Sequence, residues 1–383
     1  MIPYADFQFF VIALAILSPA IYLGLHGKSL RSLIPVVSII MLVLIFRSWP
    51  KQLFSILLYI VWQVLITLSF LKISSRKKSK GIYWSAIIFA LLPLVIAKLG
   101  PVLQNGSMLG FLGLSYITFK AVQVIIEIQD GLIKEIKLID YLSFLFFFPV
   151  LSSGPIDRYR RFNKDLSAAL TADEYKALLR SGTNRLFQGL LYKFILAVLI
   201  KAYWLDHVDL QTEHWLPYLS YMYGYSLYLF FDFAGYSSFA IGLSYFLGIK
   251  TPENFRQPFI SNNIKDFWNR WHISLSAWFR DYVFMRLIMD FTRQGKLKNK
   301  YLISYLGYLA LFGLMGVWHG LEPQYLLYGL YHAALMIGFD LLDRFNKKRH
   351  FWQKGFWWDQ IAIVVNYHFI AFGFLIFSGK LFA

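Results

Sequence analysis

The chain has 383 residues, of which 58% are hydrophobic, 19% aromatic and only 15% charged. A soluble globular chain carries about 25% charged residues, so the composition excludes an ordinary soluble enzyme and points to an all-α, polytopic integral membrane protein. Cysteine is absent, which excludes disulfides, cysteine-ligated metals and a cysteine acyl-enzyme.

The formal net charge of +17 does not indicate nucleic acid. The basic residues cluster between apolar runs, where they mark cytoplasmic loops and contact anionic lipid.

A crossing helix needs roughly 20 apolar residues. The first run, from about Phe7 to Gly24, has no basic segment before it, so it reads as a retained helix and not as a cleaved signal. Further runs lie at about 33–46, 53–71, 83–98, 109–127, 186–204, 216–234, 301–318, 324–342 and 359–378. Tyr141–Leu151 is too short to cross and runs into Ser152-Ser153-Gly154-Pro155, so it is expected to re-enter. The stretch from Leu216 to Gly248 is too long for one crossing, and Asp232 and Gly235 interrupt it. It is expected to be one span followed by a broken, partly inserted segment, which is tolerated only where protein or water surrounds it.

Charge orients these runs. The basic groups at Lys72–Lys80, Arg158–Lys164, Lys250–Lys300 and Arg344–Arg349 fit inside, and the acidic segment Asp206–Glu213 fits outside. The N-terminus then lies outside, while Arg47 and Lys51 run against the rule. No repeat of 20–50 residues appears, so one intramembrane domain over 1–383 is expected.

Chemistry concentrates in two segments. In Asp266 to Asp281, helical spacing puts Trp268, Trp271, Leu275, Trp278 and Phe279 on one face, an amphipathic aromatic helix of interfacial type. His272 lies beside that stripe, with Asn269 three residues before it and Ser276 four after. It is either a hydrogen-bonded structural group or a site residue. The second segment is Gly316-Val317-Trp318-His319-Gly320. His319 ends an apolar run, and an ionisable residue there is a functional candidate, although a histidine capping a helix C-terminus is the plainer reading. His332 and His368 lie inside apolar runs and read as packed polar groups. Lys120, Glu127 and Asp232 are ionisable residues inside apolar runs, and read either as pairing with one another inside the bundle or as catalytic groups. The elbow Gly-x-Ser-x-Gly, the zinc motif His-Glu-x-x-His and a phosphate-binding glycine loop are absent. No residue set suggests a metal.

At these residues the chain resembles the membrane-bound O-acyltransferase (MBOAT) family. The resemblance rests on Gly113-Leu114-Ser115-Tyr116, Ser153-Gly154-Pro155-Ile156, Phe231 to Ser237, Pro252-Glu253-Asn254-Phe255, Phe267 to Asp281 and Trp318-His319-Gly320. These motifs occupy about residues 110–340. The phrases Phe279 to Arg286 and Tyr328-Gly329-Leu330-Tyr331-His332 resemble the branch that serves Gram-positive teichoic acid D-alanylation. An acetylase branch acting on exported alginate shares Trp-His-Ile-Ser-Leu-Ser. The resemblance implies a ring of about 10–11 transmembrane helices with re-entrant and interfacial pieces, in the plasma membrane. It implies His319 as the essential histidine and His272 as a second; Asn269 and Ser276, by their spacing from His272, and the adjacent Trp271 and Trp318 are expected to support them. It also implies a D-alanyl thioester donor on the phosphopantetheine arm of a cytoplasmic carrier protein, and lipoteichoic acid or an intermediate as acceptor, with no cofactor bound by the chain itself.

Such a carrier presents an acidic surface, and its docking site is expected between Asp281 and Lys300. Val283, Met285, Ile288 and Met289 would give apolar contact, with Met adapting at the surface. Arg286, Arg293, Lys296, Lys298 and Lys300 would give positive charge. A membrane-anchoring basic helix accounts for the same residues. Two other functions compete: acetylation of an exported polysaccharide, and a transporter or scramblase, for which the expected two-fold repetition of spans is not seen.

Overall fold

A computed structural model of the chain describes residues 2–77, 79–100, 112–211, 214–295, 297–350 and 355–382. Among them every regular element is helical. The helices are α1 (Phe7–Leu25), α2 (Leu33–Phe46), α3 (Pro50–Ser74), α4 (Lys80–Leu99), α5 (Leu114–Gln129), α6 (Leu138–Phe146), α7 (Tyr159–Ser167) and α8 (Ala172–Gly189). A π-helical turn, Leu190–Leu196, joins α8 to α9 (Ala197–Tyr203). Then come α10 (Leu216–Phe246), α11 (Ile264–Trp268), α12 (Ile273–Phe279), a second π-helical turn Arg280–Phe284, α13 (Met285–Gln294), α14 (Lys300–His319), α15 (Pro323–Arg349) and α16 (Phe356–Phe377).

Among the described residues, seven helical stretches are long and apolar enough to cross a membrane: α1, α3, α4, the continuous stretch Ala172–His207, α14, α15 and α16. The apolar α2 has only 14 residues. The run expected from about residue 109 appears as α5 from Leu114, and its first residues lie outside the described ones. Lys78, Glu213 and Lys296 also lie outside them.

The chain divides into two compact units, Met1–Gly189 with Tyr236–Pro252, and Leu190–Gly235 with Glu253–Ala383. In the first, α5 is buried on nearly all sides, so each of its polar groups needs a partner. Thr118 meets the Tyr59 hydroxyl at 2.6 Å, and Lys120 donates to the Phe144 carbonyl at 2.9 Å. Glu127 pairs with Arg160 at 3.1 Å. Three of the sequence motifs converge here. Ser153 hydrogen-bonds both Tyr116 and Tyr236, and Tyr4 packs edge-on to Tyr236 while donating to the Pro149 carbonyl at 2.9 Å.

In the second unit, α14 and α15 form a close hairpin. A Cβ on Gly316 would stand 2.5 Å from the Tyr325 carbonyl oxygen, and one on Gly329 would strike the Phe312 carbonyl. Small residues let the two backbones approach, as membrane helix pairs require. Pro323 opens α15 at a position where its missing N–H is not needed.

Two sequence expectations are corrected. The stretch expected to break after Asp232 is one uninterrupted helix of 31 residues, α10. Asp232 pairs with Lys193, so the helix need not unwind to satisfy it, and a single glycine costs only about 1 kcal/mol. Ser226 and Ser244 return their hydroxyls to carbonyls one turn back, at 2.7 and 2.6 Å. Conversely, the amphipathic helix expected over Asp266–Asp281 is broken between α11 and α12. Its aromatic face is core: Trp268, Trp271, Trp278 and Phe279 are all buried. At Tyr141–Leu151 the helix α6 has 9 residues, about 13 Å, short of a crossing.

Candidate active site

The break between α11 and α12 has a local cause. Asn254 is fully buried, and its backbone carbonyl accepts the Ile273 N–H at 2.9 Å. Its side-chain oxygen accepts the Ser274 hydroxyl at 2.6 Å. Two residues on, the Arg256 N–H donates to the Arg270 carbonyl at 2.9 Å. The segment after Pro252 therefore grips the turn on both sides of His272. That turn puts His272 in the left-handed region, φ 43 and ψ 50, a conformation that costs a non-glycine residue on the order of 1–3 kcal/mol and persists only when its surroundings enforce it.

The enforced turn places the imidazole inside the unit. His272 is 4% exposed, with the Phe233 ring edge-on at 4.7 Å and the Trp318 ring at 6.4 Å. Its Nε2 has no hydrogen-bond partner among the described residues. An orphaned buried polar atom costs about 1–3 kcal/mol, unless a ligand supplies the missing partner.

His319 is reached from another direction. It is the last residue of α14, and the turn after it demands glycine: a Cβ on Gly320 would collide with Glu322 and with the Tyr325 ring. The His319 imidazole meets Phe377 edge-on at 4.9 Å, with Tyr325 and Tyr328 each at 6.1 Å and Trp318 at 4.6 Å. It is half-buried. His272 and His319 lie close enough for one to act electrostatically on the other, with the Trp318 ring near both. One imidazole is thus sealed with a bare nitrogen, and the other is half-buried among aromatic rings.

The remaining expected site residues separate. Trp318 lies at the site. Trp271 is wall, packed on Phe267 at 5.7 Å and Phe374 at 4.7 Å. Ser276 donates to the Trp271 carbonyl at 3.2 Å and so braces the turn. Asn269 ends α11 and is exposed, so it is not brought to the imidazoles. His332 is fully buried against Trp268 at 5.0 Å and Tyr328 at 4.5 Å. Asn254, Phe233 and Phe377 were given no role from the sequence. The only signal for Asn254 was its place in the Pro252-Glu253-Asn254-Phe255 motif. Among the described residues no three His, Asp or Glu side chains converge as metal ligands.

The expected carrier surface is partly open. Met285 and Met289 are 43% and 49% exposed, and Arg293, Lys298 and Lys300 are exposed. Val283, Arg286 and Ile288 are half-buried, with Ile288 turned toward Gly307.

A helical membrane chain with a histidine at a helix end beside a second, buried histidine fits an acyl-transfer enzyme, and comparison with known proteins agrees. The membrane-bound O-acyltransferase family profile matches residues 53–382, and the chain belongs to that family. Over nearly its full length it is similar to teichoic acid D-alanyltransferases. It is 48% identical over 389 residues to the teichoic acid D-alanyltransferase of Bacillus subtilis, covering 99% of this chain and 98% of the relative. It is 38% identical to that of Streptococcus thermophilus, covering 99% and 95%. A probable alginate O-acetylase of Pseudomonas aeruginosa is 35% identical over 232 residues, covering 58% of this chain and 41% of the relative.

Proposed function

We propose that this enzyme moves D-alanine from a carrier-protein thioester on the cytoplasmic side to a hydroxyl of teichoic or lipoteichoic acid outside, directly or through an intermediate acceptor. The observation that carries the reading is the His272–His319 site in a chain that matches D-alanyltransferases over 99% of its length. The alginate acetylase likeness stops at 58% of the chain, which disfavours acetylation of an exported polysaccharide.

A thioester is already activated, so the step needs no nucleotide. His319 takes the proton of the acceptor hydroxyl as its oxygen attacks the thioester carbonyl. An unperturbed imidazole titrates near 6.5, and general-base catalysis is typically worth about 10²–10⁴-fold. The tetrahedral oxyanion accepts a hydrogen bond from His272, whose Nε2 has no partner among the described residues. Collapse breaks the C–S bond, and the leaving pantetheine thiolate recovers the proton from the His319 imidazolium. With cysteine absent, transfer to the acceptor oxygen requires no thiol acyl-enzyme.

The carrier docks on α13 and the basic residues after it. Ser74, Asn163 and Asn346 then face the cytoplasm and the N-terminus faces out. Single cysteines at Ser74, Asn163 and Asn346 should resist an impermeant maleimide added outside; labelling at Asn163 alone would show that Tyr141–Leu151 crosses. The function itself is tested by reconstitution with D-[¹⁴C]alanyl-carrier and teichoic acid acceptors. Label moving to acceptor supports it, and transfer of acetyl but never of D-alanyl refutes it.

A further inference from the structure

An aminoacyl group differs from an acetyl group by one charge, the α-ammonium. That cation enters a low-dielectric region during transfer, where an unpaired charge is expensive. The second unit offers a feature the proposed mechanism does not use. On α10, Tyr218, Tyr221, Tyr225, Tyr228 and Asp232 follow one another at steps of three and four, and so share one face. Each is half-buried, neither sealed in the core nor fully open. Tyr221 and Tyr225 stack at 5.6 Å, and Tyr225 and Tyr228 lie 6.3 Å apart.

The stripe runs toward the site. Tyr225 interacts electrostatically with Tyr325 and with Tyr328, the two rings that flank His319. Residue Phe233, next in sequence to Asp232, packs on His272. The Asp232 carboxylate, one residue before Phe233, holds the ammonium of Lys193, which sits in the π-helical turn Leu190–Leu196. Such turns within α-helices are frequent at functional sites. The Asp232 side chain is 38% exposed and that of Lys193 20%, so a ligand can reach the pair. The Asp206 carboxylate also lies within electrostatic reach of the Tyr228 phenol, alongside Asp232.

We infer that the Tyr225–Tyr228–Asp232 face is a subsite for the ammonium of the transferred aminoacyl group, with the Lys193 ammonium occupying it in the free enzyme. The inference rests on the D-alanyl-transfer reading above. Phenol faces attract cations, and a carboxylate on α10 supplies the counter-charge. An incoming ammonium exchanges with Lys193 like for like, so the subsite never holds a bare carboxylate. The chemistry recognised is a primary ammonium one carbon from an acyl carbonyl.

The test compares two donors that differ only in that group. The carrier is loaded with D-[¹⁴C]alanine or with [¹⁴C]propionate, its des-amino counterpart. Each is offered to inverted membrane vesicles from a cell whose own copy is replaced by wild type, Asp232→Asn, Asp232→Glu or Asp232→Asn/Lys193→Met. The double variant removes both charges and guards against misfolding from an unpaired lysine. Losing a charge-assisted contact should lower kcat/KM for D-alanyl by about 10- to 100-fold. Propionyl transfer should change by less than about 3-fold, and Asp232→Glu should recover part of the D-alanyl rate. Equal loss with both donors, or full D-alanyl transfer by the double variant, overturns the subsite. Wild-type vesicles that take propionyl but not D-alanyl overturn the D-alanyl reading instead.

Discussion

The buried ionisable groups of the two units are treated differently. In the first unit, Lys120, Glu127, Asp140 and Asp157 are buried. Each has a protein partner: the Phe144 carbonyl, Arg160, Arg31 and Arg161 respectively. In the second, the buried histidines are His272 and His332, and both carry nitrogens without a partner among the described residues. Pairing fixes a charge in place and makes it inert, as a scaffold needs. An unpaired neutral nitrogen keeps its capacity for a proton or an oxyanion, at a cost in stability. The first unit thus reads as the frame, and the second as the part that does chemistry.

That contrast is sharpened most by His319→Ala. Transfer should fall about 10²–10⁴-fold, while expression and folding in detergent stay near wild type; full transfer activity in that variant would remove His319 as the base. Next comes Asn254→Ala. It releases the grip on the left-handed turn without touching either imidazole, and the transfer rate should drop about 10- to 100-fold, because misplacement of a catalytic group by about 1 Å can cost that much. An unchanged rate would mean that the turn holds itself.

On the frame side, Asp157→Asn should cost about 1–3 kcal/mol of stability in a thermal-unfolding assay in detergent. The figure is below that for a sealed pair, because Arg161 is about a third exposed and keeps Asp165 at 2.9 Å. Transfer per folded molecule should be unaltered. If the rate falls while stability holds, the first unit is not merely a frame. The smallest effect is expected at the carrier surface. Met285→Asp or Ile288→Asp should weaken carrier binding by about 5- to 10-fold, the loss of roughly 1 kcal/mol of apolar contact. Neutralising Arg293 and Lys298 should slow association and flatten its dependence on salt. Equal affinity in all these variants, measured by titration with purified carrier, would take this surface out of the mechanism.

Much of this was legible in the sequence, for reasons that differ by residue. Runs of about 20 apolar residues are a direct physical requirement of crossing, so α1, α3, α4, α14, α15 and α16 could be located from composition. The place of His319 at a helix end was legible because it closes an apolar run and is followed by glycine, which is a local signal. The turn at His272 was not. Periodicity over Asp266–Asp281 favours one helix, and the force that breaks it comes from Asn254, 18 residues earlier. Long-range capture of a backbone N–H leaves no trace in a local pattern. The opposite error arose at Asp232, where a charge in an apolar run suggested a break. Lys193, 39 residues away in sequence, supplies the partner that keeps α10 whole.

The central claim is that His272 and His319 act on one reacting group. It is tested most directly by a double-mutant cycle on transfer from D-[¹⁴C]alanyl-carrier, using His272→Ala, His319→Ala and the pair together. Residues that act as a unit are strongly non-additive. The double variant should therefore be no slower than His319→Ala alone, within about 3-fold. A double variant whose loss is the product of the two single losses would contradict a shared site.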